Sequence, residues 1–390
     1  MINISESIKN FLPEQYARTG QLPINHNYLF QQFSDYEIIL EKIKQVVLKG
    51  DFTLGDIVDE FENRFKTITN TQYAIGVGSG TDALFLSLKA LDIREGDEVI
   101  TTPFTFFATI GAIVTAGARP VFVDIKDDFN IDPSKIVEKI TQKTKAILPV
   151  HWAGKPCEMN EIVKIAKQYG LYVIEDACHA IQARYHNRPA GSLGEIACFS
   201  FHPLKNLNVW GDGGIVTTNS EVLANKLKLM RNHGLKNRDE CLMFAYNSRL
   251  DTIQAVVALH LLDKLDFITA SRIEHAKAYD YFLKEISEIY IPERESHIKQ
   301  VFHLYSIQCE KRDVLQRYLI QEGVDAKIHY PIPMHLQPAA AYLGYQKGDF
   351  PICERIANQT LSFPVHEFLE TGQLEQVAVF VKQFYGKKHV

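Results

Sequence analysis

One lysine, Lys205, stands in a loop between two apolar runs, Ile196 to Phe201 and Ile215 to Thr218. Pro203 stiffens the approach, and Gly211, Gly213 and Gly214 follow. An ammonium group held between buried strands loses its hydration unless a partner or a covalent bond replaces it. The usual chemistry of such a lysine is attack on a carbonyl to form a Schiff base, with pyridoxal phosphate (PLP) as the commonest partner. The glycines let backbone approach a bound ligand closely.

A PLP site also requires a cup for a phosphate, a carboxylate against the pyridine nitrogen and a flat apolar wall. Gly78, Ser79, Gly80 and Thr81 end an apolar run and open a helix. Free N–H groups and the positive end of the helix dipole would meet an anion there, with two hydroxyls as further donors. The plainer reading is a turn with Thr81 as N-cap. Asp176 sits at the mouth of the run Leu171 to Ile174, where a carboxylate needs a cation against it and a protonated pyridine would supply one. Its plain alternative is also an N-cap. Phe104, Phe106 and Phe107, within TPFTFFAT (102–109), offer either the ring wall or ordinary core. Neither G-x-x-x-x-G-K-[ST] nor G-x-G-x-x-G occurs, which argues against a nucleotide P-loop and a nicotinamide site.

The elements that would position these residues alternate from Tyr73 onward, as in a parallel sheet wound with helical crossovers. Strands are expected at Tyr73 to Val77, Glu98 to Thr101, Arg119 to Val123, Ala146 to Pro149, Leu171 to Ile174, Ile196 to Phe201 and Ile215 to Thr218. Helices are expected at 36–48, 57–67, 82–91, 107–115, 159–169, 221–232 and 250–288, with further strands at 302–309 and 324–328. Ligands of such sheets bind beyond the C-terminal strand ends. The expected fold class is α/β, with a mostly parallel seven-stranded sheet flanked by helices over 35–255. A polar N-terminal segment (1–34) packs on that large domain, and a smaller C-terminal α+β domain spans 256–390.

With 390 residues, 46% of them hydrophobic, a formal net charge of −5 and no basic footprint, the chain reads as a soluble globular protein that does not bind nucleic acid. No secretory signal or membrane span is evident, which predicts a cytoplasmic protein. Six scattered cysteines without a C-x-x-C pair, and fourteen histidines without ligand spacing, support neither disulfides nor a metal site.

GSGTDAL (78–84), TPFTFFAT (102–109), KTKAILPVHWAG (143–154), VIEDACHA (173–180), FSFHPLKNLNVWGDGG (199–214), YNSRLDTIQA (246–255) and HYPIPMH (329–335) occur in that order. Together they resemble the DegT/StrS-like family of PLP-dependent sugar aminotransferases of fold type I, through nearly the whole chain. The resemblance implies that Lys205 forms the Schiff base and later moves a proton between cofactor and substrate carbons. It implies Asp176 on the pyridine nitrogen, Phe106 stacked on the ring, His179 near the ring substituents, and Gly80, Thr81 and Ser200 at the phosphate. Asn247 would reach the phosphate of a neighbouring subunit's cofactor in a homodimer with shared sites. His151, His329, Tyr330 and His335 fall where the family places substrate-pocket residues, and each is equally readable as an interior or surface side chain.

The reaction implied has two stages: an amino acid, L-glutamate, converts PLP to pyridoxamine phosphate (PMP), and a ketosugar then takes the amino group. Some relatives that remove oxygen carry histidine where Lys205 stands, so the lysine favours amino transfer over a PLP- or PMP-dependent dehydratase. The three residues between Leu207 and Gly211 lean toward 3-keto rather than 4-keto sugars. A non-catalytic PLP-binding regulator is the reading from another class, against which Lys205 and Asp176 argue.

Overall fold

The computed structural model describes residues 22–386. After one short helical turn, Leu29–Gln32, two amphipathic helices follow. Helix α1 (Tyr36–Lys49) buries Ile39 and Val46 and stops at Gly50, whose φ of 72° lets its N–H turn back onto the Val46 and Val47 carbonyls. Helix α2 (Asp56–Thr69) buries Val58, Phe61 and Phe65 and ends in the same way at Asn70, φ 52°.

From there strands and helices alternate: β1 (Tyr73–Val77), α3 (Gly80–Ala90), β2 (Glu98–Thr101), α4 (Phe107–Thr115), β3 (Arg119–Phe122), β4 (Thr144–Ile147), α5 (Met159–Tyr169), β5 (Tyr172–Asp176), β6 (Ile196–Ser200), β7 (Gly214–Thr218) and α6 (Glu221–Met230). The seven strands form one sheet in the order β1-β7-β6-β5-β4-β2-β3. Only β7 runs against its neighbours, pairing antiparallel with β1 and β6. The near-continuous apolar runs of β1, β6 and β7 are buried, as expected of a sheet covered on both faces. Beneath β6, Phe65 meets Phe199 and Phe61 meets Phe201 edge-on, at 5.0 and 5.3 Å between ring centres. Each contact contributes about 0.5–1.5 kcal/mol beyond its area and fixes the strand that leads to Lys205.

The expected 250–288 helix is two helices, α7 (Thr252–Leu262) and α8 (Leu265–Leu283). The apolar core shared with α1 and α2 runs through α7 to Leu265. Ala276, Tyr279 and Leu283 of α8 join a separate core with α9 (Arg312–Gln321), α10 (Thr371–Gly386) and an antiparallel three-stranded sheet, β8 (Ile289–Tyr290), β9 (Tyr305–Cys309) and β10 (Thr360–Phe363). The expected strand at 324–328 is absent. Val324 folds back onto Leu319 O at the end of α9, and the stretch makes only isolated bridges, Val324 to Ile24 and Lys327 to Ser362.

Of the N-terminal segment, residues 1–21 lie outside the described residues. The described part touches both bodies, since Ile24 lies in the C-terminal core while the Tyr28 hydroxyl reaches the Lys205 loop. Among the described residues no helix is long and apolar enough to cross a membrane.

Candidate active site

The parallel arrangement brings the C-terminal ends of β1, β5 and β6 to one edge, where they border a cavity of about 480 Å³. At its floor, Ser79 caps α3 by accepting from Asp82 N at 3.0 Å, which leaves the Gly80 and Thr81 amides at the free helix end. Gly80 is required by close approach, because a Cβ there would stand 2.6 Å from Ser200 Cβ. Helix end, Thr81 hydroxyl and Ser200 hydroxyl thus form a cradle that no side chain fills and an anion fits.

Asp176, 5% exposed, is the last residue of β5. Thr109 Oγ1 donates to its Oδ2 at 2.8 Å, Thr105 and Thr109 share a hydrogen bond at 2.7 Å, and Cys178 N donates to its Oδ1 at 3.2 Å. Lys205 enters the same cavity from the β6–β7 loop. Burial depresses its amine below the ordinary lysine range, while the Cys178 thiol and the Asp176 carboxylate pull the other way. Phe106 lines the cavity half-exposed, with the Tyr330 ring 5.9 Å away. Burial pushes the Tyr330 phenol up, so it stays protonated at neutral pH. His179 Nδ1 is buried without a partner, and its ring lies 4.3 Å from that of His303. Burial holds both imidazoles neutral.

Of the residues singled out in the sequence, Gly80, Thr81, Phe106, Asp176, His179, Ser200, Lys205, His329 and Tyr330 all border this cavity. Asn247 is exposed on the surface, outside it. His151 does not reach it either: fully buried, it donates from Nε2 to Glu175 at 3.0 Å and accepts the Cys157 N–H at Nδ1. His335 is likewise withdrawn, bonded to Glu354 at 3.1 Å and packed on Phe350. Neither residue lines the cavity: both ring nitrogens of His151 are bonded within the fold, and His335 is held at Nε2 by Glu354.

Anion cradle, carboxylate, half-exposed aromatic face and amine match the parts of a phosphorylated pyridine aldehyde: phosphate, ring nitrogen, ring face and carbonyl. Against known proteins, residues 34–382 match the model of the DegT/DnrJ/EryC1/StrS aminotransferase family. The chain belongs to that family. This DegT-family chain is 42% identical over 350 residues to the "pleiotropic regulatory protein" of Geobacillus stearothermophilus, covering 89% of this chain and 94% of that one. It is 41% identical over 349 residues to the dTDP-3-amino-3,6-dideoxy-alpha-D-galactopyranose transaminase of Aneurinibacillus thermoaerophilus, covering 89% and 95%. The crystal structure of DesV from S. venezuelae in complex with a ketimine intermediate superposes with a TM-score of 0.91 at 36% identity, covering 94% of this chain and 99% of that one.

The aminotransferase site also contains residues that the sequence reading passed over. Thr109 carried a signal, since Thr105 and Thr109 lie four apart in a motif already singled out, a spacing that brings two side chains together at a helix start. Tyr28, Arg272 and His303 carried none. They come from the polar opening, a long helix and a loop, and meet the cavity only through the contact between the two cores.

Proposed function

We propose that this aminotransferase moves an amino group from L-glutamate to a nucleotide-linked sugar with a keto group at C3. The observation that carries the amino-transfer part of this reading is the meeting of a lysine amine, a doubly hydrogen-bonded carboxylate and a helix-end anion cradle in one cavity, while relatives named for 3-amino nucleotide sugars support the choice of acceptor. PLP, the cofactor of solved members of the family, when bound supplies a carbonyl that takes up an amine and a protonated ring that disperses negative charge from a neighbouring carbon. The protein's residues do the rest. Gly80, Thr81 and Ser200 would hold the phosphate, Phe106 would cover the ring, and His179 would lie near its substituents. Asp176 would keep the ring nitrogen protonated, because loss of that proton would leave a buried carboxylate without its cation. Lys205, whose amine burial shifts toward its neutral form, would take a proton at Nζ from one carbon and return it to another. His329 and Tyr330 face the sugar.

The reading extends to a homodimer working in the cytoplasm, in which Asn247 reaches the partner's cofactor phosphate. Exposed Phe244, Phe107 and Phe30 supply apolar surface for such an interface. The reading keeps a large cofactor-binding unit over 35–255 and a smaller C-terminal unit over 256–390, and the separate apolar cores on either side of the α7–α8 break support such a division. A dehydratase or a silent regulator, the latter echoed in the name of the Geobacillus relative, would need no transfer of nitrogen. The test is to supply L-glutamate with labelled nitrogen together with dTDP- or UDP-linked 3-keto sugars. Label in an aminosugar product supports the reading, whereas a deoxygenated sugar without label supports the dehydratase.

A further inference from the structure

Leu204, the residue before Lys205, holds a φ of 77°, in the left-handed region where a side chain with a Cβ is strained. Its carbonyl and that of Lys205 accept from a single hydroxyl, Tyr28 Oη, at 3.2 and 3.3 Å. Tyr28 is 3% exposed and comes from the segment ahead of α1. Its ring is packed between His366, 4.8 Å away between ring centres, and the Arg272 guanidinium, 5.1 Å from the ring centre. The ring is held through its faces, while the hydroxyl meets the Lys205 turn and the Arg272 guanidinium.

A second thread starts at the same turn. Asn208 Nδ2 donates to Lys205 O at 3.0 Å and to Gln32 Oε1 at 2.6 Å, and Gln32 Nε2 donates to Glu367 Oε1 at 2.9 Å. Glu367 faces Arg272 at 3.5 Å, which closes the network behind Tyr28. Gln32 and Arg272 are 3% and 1% exposed, so little water is at hand to replace these bonds.

We propose that Tyr28 and Gln32 are positioning residues: through them the N-terminal segment holds the Lys205 turn in its strained form and so sets where the amine stands. If the Leu204 carbonyl is released, Leu204 relaxes toward negative φ, the peptide joining it to Lys205 rotates, and Nζ shifts within the cavity it shares with Asp176. This inference rests on the lysine role given under the proposed function.

The test uses the full-length Tyr28→Phe variant, which keeps the ring. In the cofactor-free protein, hydrogen exchange of residues 202–208 is expected to rise about tenfold, with the rest of the core within about twofold and the melting temperature nearly unchanged. In the PLP-loaded enzyme kcat is expected to fall about tenfold while KM for the ketosugar stays within about threefold. Leu204→Gly relieves the strain, so in that background the effect of Tyr28→Phe on exchange should shrink to about threefold or less. Unchanged exchange at 202–208 overturns the proposal, whatever happens to kcat. A rise spread evenly over the core with a lower melting temperature also overturns it, since the hydroxyl would then only hold the fold. If Lys205→Ala keeps full transfer activity, the proposed function fails while the exchange measurement still reads the clamp.

Discussion

The Asp176 carboxylate owes its orientation to two donors from different elements, the Thr109 hydroxyl on α4 and the Cys178 amide after β5. Thr109 is 1% exposed, so no water takes over when its hydroxyl is removed. Thr109→Val keeps the shape and deletes the bond. A hydrogen bond to a charged group is worth about 1.5–3 kcal/mol, part of which is felt in the transition state, so kcat should fall about tenfold or more with KM for the sugar little changed. An unchanged kcat would show that Asp176 needs no such support. The chemistry-bearing residues of this shell were legible because each follows a strand end with a composition that packing alone does not ask for: Lys205 among glycines, Asp176 after Ile174. For His151 and His335 the pocket and interior readings stayed equally open in the sequence, and neither lines the cavity. An imidazole committed to Glu175 or Glu354 looks the same in a sequence as one that faces a substrate.

Glu175 and Asp176 are adjacent on β5 and so point to opposite faces, only one of which is the cavity. Glu175 faces the other way and gathers the turn after it, accepting from Gly191, Leu193 and Gly194 amides at 2.7–2.9 Å and from His151 Nε2 at 3.0 Å. It is fully buried. Glu175→Gln turns an NH2 toward donors that already need an acceptor, so we expect a loss of about 3–5 kcal/mol in stability, read as a fall in the urea midpoint. A loss below about 1 kcal/mol would mean that the turn closes without the carboxylate. At this scale all seven strands of the large sheet were readable to within a few residues, since buried strands are short apolar runs between turn residues. The 250–288 helix was drawn too long because helical spacing continues across Asp263 and Lys264, and only the separate docking of α7 and α8 on different cores shows the break. The 324–328 strand failed because its apolar residues are held by the α9 turn rather than by a ladder.

Across the whole molecule, the seam between the two cores is lined with histidines that burial keeps neutral: His26 is lowered to about 4, and His329 and His366 to about 3. His366 shows the neutral form directly, donating from Nε2 to Asn25 O at 2.8 Å and accepting the Phe368 N–H at Nδ1. Because the folded values lie below the unfolded value of 6.5, the unfolded chain binds more protons between them. Stability is therefore complete above about pH 6.5 and falls as the pH drops, by up to about 1.4 kcal/mol per pH unit for each histidine. Urea midpoints from pH 7 to 4.5 should show this loss, with a shallower slope in His366→Asn; an equal slope would place the acid sensitivity elsewhere. The proposed homodimer with shared sites is testable at the same scale. Inactive Lys205→Ala and Asn247→Ala chains, unfolded together and refolded, should regain about a quarter of the sites, because each hybrid dimer rebuilds one complete site from two chains. Activity no greater than the sum of the separate variants would mean that each chain works alone. The central claim, amino transfer through Lys205, is tested most directly by the absorption spectrum of the protein loaded with PLP, before and after L-glutamate, with Lys205→Ala measured alongside. The account predicts a visible band in the parent protein that glutamate abolishes and that Lys205→Ala never shows; a protein that stays colourless with added PLP would contradict it.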